Sequence, residues 1–256
     1  MPDDPASWSP APDIACRLLD TRFRDIRWFT CIDSTNRYLL SERPAVEGVV
    51  AVADEQTAGR GRHGRTWTAR PGAALLVSVL LRPQVPSERL HLVTLAAAVA
   101  AIDALGTVAG VDGRIKWPND IVVGDRKLAG ILAEGDAEGT VVVGMGMNVR
   151  ADAFPSALAD VATAVDVMAD HPVDRVELVV AWLRALDTQL DRTAGLVDAA
   201  AARSATLGRR VRVELTRTQV CGVASRLTDE GFLVVVTDDG SERVLTAGDV
   251  IHLRRA

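Results

Sequence analysis

Apolar positions follow two rhythms along this chain: short continuous runs, and spacings that return to one face of a helix. Continuous aliphatic runs at 49–53, 73–81 and 140–144 predict buried strands. Shorter runs at 26–31, 121–123 and 127–132 predict further strands, the last two joined by a turn at Gly124-Asp125. Helical spacing predicts helices over 13–22 and 87–105, the latter alanine-rich and buried against a sheet. From Asp174-x-x-Glu177, a capping-box variant, a third helix runs to about residue 192. Its Val176, Val179, Val180, Leu183, Leu186 and Leu190 share one face. A short helix at 196–205 follows it. Strands outnumber helices and tight turns join them, so the expected class is α+β with a mixed sheet, not a doubly wound one.

After Gly208 the rhythm changes. Short strands at 209–215, 220–227, 232–237, 243–245 and 250–253 alternate with turns such as Asp229-Glu230-Gly231 and Asp238-Asp239-Gly240, the pattern of a small β-barrel. The expected organisation is an acidic, proline-rich, disordered N-terminus (1–12), a larger domain (13–207) and the small barrel (208–256). The barrel brings no polar constellation with obvious chemistry and is read as a structural or docking module.

Composition narrows the class. At 48% hydrophobic and 25% charged residues, the 256-residue chain reads as a soluble globular protein. No continuous run of about 18 apolar residues stands out, so no membrane-spanning helix is expected. The first residues lack the basic start and apolar run of a signal peptide. Cys16, Cys31 and Cys221 are too scattered for a disulfide framework or zinc cluster, which points to reduced thiols and the cytoplasm. His63, His91, His171 and His252 do not fall at metal-ligand spacing. A net charge of -5 argues against a general nucleic-acid binder.

Against that acidic background, residues 57–67 (TAGRGRHGRTW) concentrate Arg60, Arg62 and Arg65 among Gly59, Gly61 and Gly64. Glycine lets backbone amides approach a ligand, and arginine presents a fork of donors matched to carboxylate and phosphate. The segment reads as a mobile anion clamp. Gly59-x-Gly61-x-x-Gly64 has the spacing of a dinucleotide fingerprint, and Gly59 to Thr66 is one residue from a phosphate-binding P-loop. Both motifs need a helix opening directly after the glycines, and here a turn and a strand follow instead.

Other polar groups gather at predicted strand ends: Ser34-Thr35-Asn36, Gln56, Lys116 to Asp120, Lys127 and Asn148. Ser34, Thr35 and Asn36 read equally well as a helix cap, and Trp117-Pro118 as a rigid turn. As a set, their types suit a ligand with a carboxylate, a neutral polar ring and several phosphates.

GRGRHGRTW, KWPND, KLAGIL and GMGMNV, in this order, resemble the motif set of the biotin–protein ligases, over roughly residues 30–150. The resemblance implies a class II synthetase-like catalytic domain (the biotin/lipoate ligase fold), followed by an SH3-like barrel. It implies activation of biotin by ATP to biotinyl-adenylate, then transfer to a lysine of a biotin carboxyl carrier domain. By the same resemblance Ser34, Thr35, Asn36 and Gln56 meet the biotin ring and tail, with Gly59, Gly61 and Gly130 permitting close approach. Arg60 and Arg62 contact carboxylate and phosphate, and Lys127 holds the reacting oxygens. Arg65 lies toward the phosphates, Trp67 covers adenine, Asn119 lies near nucleotide or metal, and Asn148 near ribose or adenine. Asp120 either steers and deprotonates the acceptor lysine or caps a strand turn. Mg²⁺ is implied, held mostly by phosphates and water.

Only about 30 residues precede the first motif, too few for a three-helix DNA-binding module, so a ligase without repressor activity is expected. A monomer or weak homodimer is expected, with no DNA and no membrane as partners. His63 stands where many relatives carry arginine, which weakens the loop's positive charge. The competing readings are a lipoate or octanoate ligase or transferase of the same fold, and a non-catalytic sensor of biotinyl-adenylate.

Overall fold

The computed structural model describes residues 9–253 apart from 43, 45, 84–88, 90, 137, 138, 170, 193 and 216. The larger sheet has seven strands: β1 (Asp25–Ile32), β2 (Val49–Gln56), β3 (Ala74–Leu81), β4 (Arg114–Lys116), β5 (Asp120–Val123), β6 (Arg126–Gly135) and β7 (Val141–Asn148). Their order is β1-β2-β3-β7-β6-β5-β4, with β1 and β2 parallel and every other pair antiparallel. The sheet is mixed, as the short tight turns predict.

Helices α1 (Ala11–Arg17), α3 (His91–Ala109) and α5 (Arg175–Asp191) share a core with one face of this sheet; α2 (Thr35–Ser41) packs on the other. Strand β3 is buried at all eight positions because both of its faces are covered. Leu75, Val77, Val79 and Leu81 join the core that contains α3 and α5, while Leu76, Ser78 and Leu80 point the other way. Strand β7 obeys the same period of two: Val141, Val143, Met145 and Met147 join the helix side, leaving Gly144 and Gly146 on the opposite face.

Several expectations shift. The first helix starts at Ala11, inside the segment expected to be disordered, and ends at Arg17. Residues 1–8 and the first positions of the expected 87–105 helix lie outside the described residues. The His91–Ala109 helix is, by length and composition alone, apolar enough to cross a membrane, with mean hydropathy 2.0, contrary to the reading of the sequence. Its apolarity serves burial: twelve of its residues are buried, and Trp182 of α5 donates an indole hydrogen bond to Ala97 O at 3.1 Å. Asp174 does cap α5, accepting from Val176 N at 2.8 Å. The box partner Glu177 instead binds Arg17 of α1 through both oxygens, at 2.7 and 2.8 Å. Helix α4 (Val165–Ala169) had no signal in the sequence pattern, and α6 spans Leu196–Ala202.

The C-terminal strands β8 (Arg210–Glu214), β9 (Gln219–Leu227), β10 (Leu233–Val236), β11 (Glu242–Leu245) and β12 (Asp249–His252) form an antiparallel sheet in the order β11-β10-β9-β8-β12. It has its own core, and Trp117 of the larger sheet is part of it. The Trp117 indole donates to Gly231 O at 3.2 Å, and its backbone N–H to Thr206 Oγ1 at 3.1 Å. His91 stacks on Phe232 with ring centroids 4.5 Å apart. Trp117 is thus a joint between the two sheets, the structural side of the choice left open for it.

Candidate active site

The site is built on the α2 face of the large sheet, where register sets three strands side by side. Ser78 of β3 and Leu132 of β6 both oppose Gly144 of β7; Leu76 and Gly130 both oppose Gly146. Two glycines on one strand face leave a trough where side chains would otherwise stand. A Cβ on Gly144 would lie 2.1 Å from Asn36 Oδ1, and one on Gly146 would lie 2.5 Å from the Trp67 ring. Neither position has room for a methyl group.

One end of the trough is neutral. The N-terminus of α2 sets Ser34, Thr35 and Asn36 against its floor, each at most 5% exposed. Ser34 caps the helix, its Oγ accepting from Arg37 N at 3.5 Å, and it also borders the trough. Gln56 Oε1 accepts from Thr35 N at 2.8 Å and lies 3.1 Å from Thr35 Oγ1. Thr35 Oγ1 is 2.7 Å from Ser78 Oγ, which donates to Asn36 Oδ1 at 2.6 Å.

The other end is cationic. The loop folds as a narrow stem, with Arg60 and Thr66 bridged and Trp67 N donating to Gly59 O at 3.0 Å. Gly59 backs the stem, since a Cβ there would meet Trp67 O at 2.3 Å. At the tip His63 takes φ 55°, a left-handed conformation that side chains disfavour. Every arginine of the loop is met by an acid. Arg60 reaches Glu134 at 3.0 Å, Arg62 lies 3.8 Å from Asp249, and Arg65 pairs with Asp249 at short range. Arg62 Nη1 also donates to Asn119 Oδ1 at 3.0 Å and Gly248 O at 3.3 Å. Burial pushes the Arg62 guanidinium below its ordinary pKa, opposed by the charges of Asp249 and Asp120. Lys127 pairs with Asp120 at 2.7 Å and lies 5.6 Å from the centre of the Trp67 ring. Gly130 lies beneath both, 3.1 Å from Lys127 Nζ by its virtual Cβ.

One cleft is therefore lined by Ser34, Thr35, Asn36, Gln56, Arg60, Gly61, Arg62, Arg65, Trp67, Asn119, Asp120, Lys127 and Gly130, all singled out from sequence. Gly59 supports the stem without lining the cleft. Asn148 does not line it either; it is buried, donating to Thr163 O at 3.1 Å. Asp120 makes its side-chain contact with Lys127, not with a turn. Ser78, Gly144, Gly146 and Asp249 also line the cleft and were missed. Ser78 had a readable signal, a lone hydroxyl in an aliphatic strand. The glycines had another, their i, i+2 spacing in GMGMN. Asp249 arrives from a separate sheet and had no local signal. Among the described residues, no three His, Cys, Asp or Glu gather to hold a metal.

Comparison with known proteins gives the family. Residues 28–150 match the model of the Biotin/lipoate A/B protein ligase family, and residues 206–253 match the Biotin protein ligase C terminal domain. The biotin--[acetyl-CoA-carboxylase] ligase of Mycobacterium tuberculosis is 39% identical over 233 residues, covering 86% of each chain. The chain belongs to the biotin protein ligases. The bifunctional ligase/repressor BirA of Bacillus spizizenii is 33% identical over 229 residues, covering 84% of this chain and 70% of its own length. Among solved structures, the biotin protein ligase from Aquifex aeolicus in complex with biotin and ATP superposes with a TM-score of 0.81. It is 26% identical, and the match covers 91% of this chain and 100% of that one. The family fold accounts for both sheets.

Proposed function

We propose that this chain activates biotin with ATP to biotinyl-5'-AMP and then transfers the biotinyl group to a lysine of a biotin carboxyl carrier domain. The observation that carries this reading is a single cleft with a neutral, hydrogen-bonded floor at one end and paired guanidiniums at the other. A neutral bicyclic ring suits the floor: Ser34, Thr35 and Gln56 hold polar atoms there, and Gly144 and Gly146 let Asn36 and the Trp67 ring close in on the sheet. The carboxylate tail then points toward Arg60, Arg62 and Lys127.

In the first step a carboxylate oxygen attacks the α-phosphorus, the bond to the bridging oxygen breaks, and pyrophosphate leaves. Two anions must meet, and the loop cations lower that repulsion. Lys127, fixed by Asp120, holds the reacting oxygens in line. Arg65 faces the phosphates, Trp67 lies toward the nucleoside, and Asn119 orients Arg62, while Asn148, buried against Thr163 O, takes no part. In the second step the carrier lysine, as a neutral amine, attacks the acyl carbon and AMP departs; Asp120 takes the proton the amine must lose. Mg²⁺ would come with the substrate nucleotide as its counter-ion, held mostly by phosphates and water. Asp120 and Asp249 are each already paired to a cation, which suits that arrangement better than a protein cage. The same proposal places the protein in the cytoplasm, as a monomer or weak homodimer.

The test is biotin-dependent exchange between ATP and pyrophosphate, followed by mass spectrometry of a carrier domain. Exchange with biotin but not with lipoate or octanoate is expected. Exchange with octanoate alone would move the chain to the lipoyl branch of the family, and adenylate binding without carrier modification would make it a sensor.

A further inference from the structure

Glu134 lies on the site face of β6, two residues beyond Leu132, and its two oxygens go to different halves of the site. Oε2 accepts from Asn36 Nδ2 at 2.8 Å; Oε1 is 3.0 Å from Arg60 Nη2. Its side chain is 19% exposed, a carboxylate largely withdrawn from water.

The Asn36 amide is committed to protein. Nδ2 serves Glu134 and, at 3.3 Å, Leu132 O; Oδ1 receives the Ser78 hydroxyl at 2.6 Å. An asparagine has two donor hydrogens and one carbonyl oxygen, so both hydrogens and one lone pair are taken. Asn36 therefore works as a strut between floor and Glu134, with one Oδ1 lone pair left over. Arg60, on the other arm, belongs to the bridged stem of the loop and not to its tip.

We propose that Glu134 is a positioning residue that locks the stem of the arginine loop to the biotin-recognising floor while touching no substrate itself. The proposal rests on the biotin ligase reading of the site. Its physical basis is asymmetric. With the loop in place, the carboxylate has a guanidinium as counter-charge and an amide as donor. With the stem lifted, a mostly buried anion keeps only the amide, and an unpaired buried charge is costly. Opening the loop is thereby opposed at its root, and a bound adenylate is retained. A neutral glutamine would still accept from Asn36 but would not attract Arg60, so the two arms can be separated by substitution.

The experiment uses the full chain and the variants E134Q and E134A. It measures KM and kcat for both substrates in pyrophosphate exchange, and release of preformed biotinyl-adenylate between about 50 and 500 mM salt. E134Q should keep its KM for biotin within about twofold and release adenylate about three- to fivefold faster at low salt, the size expected for one partly exposed ion pair. It should also lose the acceleration by salt that the natural chain shows. E134A should add a roughly tenfold rise in KM for biotin, because the Asn36 amide loses its acceptor. Should E134A fail to fold, E134Q carries the test alone, since it preserves the floor. Unchanged release and salt response in E134Q, or a loss confined to kcat, would overturn the coupling. Turnover by the natural chain beside an unresponsive E134Q sinks this proposal alone; a natural chain without exchange sinks the functional reading as well.

Discussion

At the floor of the cleft Thr35, Asn36 and Ser78 are almost fully buried and bonded to one another, whereas at the rim Arg60 and Arg65 keep 45% and 69% of their side chains exposed. The floor rests on strand register: Ser78 and Gly144 are partners in a ladder, and the helix carrying Thr35 and Asn36 is capped by Ser34. The rim rests on ion pairs whose acids come from β6 and from the start of β12. Neutral hydrogen bonds in a closed space are insensitive to salt, while half-exposed ion pairs are screened and readily exchanged for a better anion. One end of the cleft is preformed, and the other is adjustable.

The largest test of that contrast is Lys127→Ala. Removing the cation proposed to hold the reacting oxygens should lower the rate of pyrophosphate exchange about a hundred- to thousandfold, with thermal unfolding unchanged within error. Retention of normal turnover would remove Lys127 from the chemistry. Next in size is Gly144→Ala at the floor. With its Cβ 2.1 Å from Asn36 Oδ1, the strut must shift, and KM for biotin should rise about tenfold or more, equally at low and high salt. A salt-dependent loss would mean that floor and rim are not separable. Asp249→Asn, at the rim, should raise KM for ATP about fivefold and leave KM for biotin alone, because unanchored arginines must be ordered on binding.

The smallest effect concerns the joint between the sheets. His252 is held near pKa 4, below its ordinary 6.5, by burial first and then by Lys116 and Arg209, with Asp125 opposing. Its Nε2 lies 3.3 Å from Thr206 Oγ1, and its Nδ1 3.2 Å from Arg209 Nη1. Between those values the unfolded chain binds more protons than the folded one. Stability therefore falls as pH drops from about 6.5 toward 4, by about 1–2 kcal/mol for this group. His252→Gln should flatten that acid limb in thermal unfolding followed against pH. An unchanged limb would place the acid sensitivity elsewhere.

The rim was the more legible end. Arginine among glycines in an acidic chain is anomalous composition, and Lys127, Asn119 and Asp120 lie at strand ends where polar residues stand out. The floor was half legible. Thr35 and Gln56 were visible, but Ser78 is a single hydroxyl in a strand otherwise read as core, and Gly144 and Gly146 mark the site by what they lack. Glu134 and Asp249 escaped because each matters through a partner distant in sequence, and no local pattern announces such a meeting. The same holds for Trp117: its indole leaves the strand sequence around it to complete the core of the other sheet. The turn that carries it was plain in KWPND, but its destination was not.

Gly144 and Gly146 already present the smallest wall a polypeptide can build. Substitution there can only narrow the trough, never widen it. A variant meant to accept a bulkier vitamin analogue has to gain its room from the side chains beside them, where Leu132 or Trp67 still has carbon to give up.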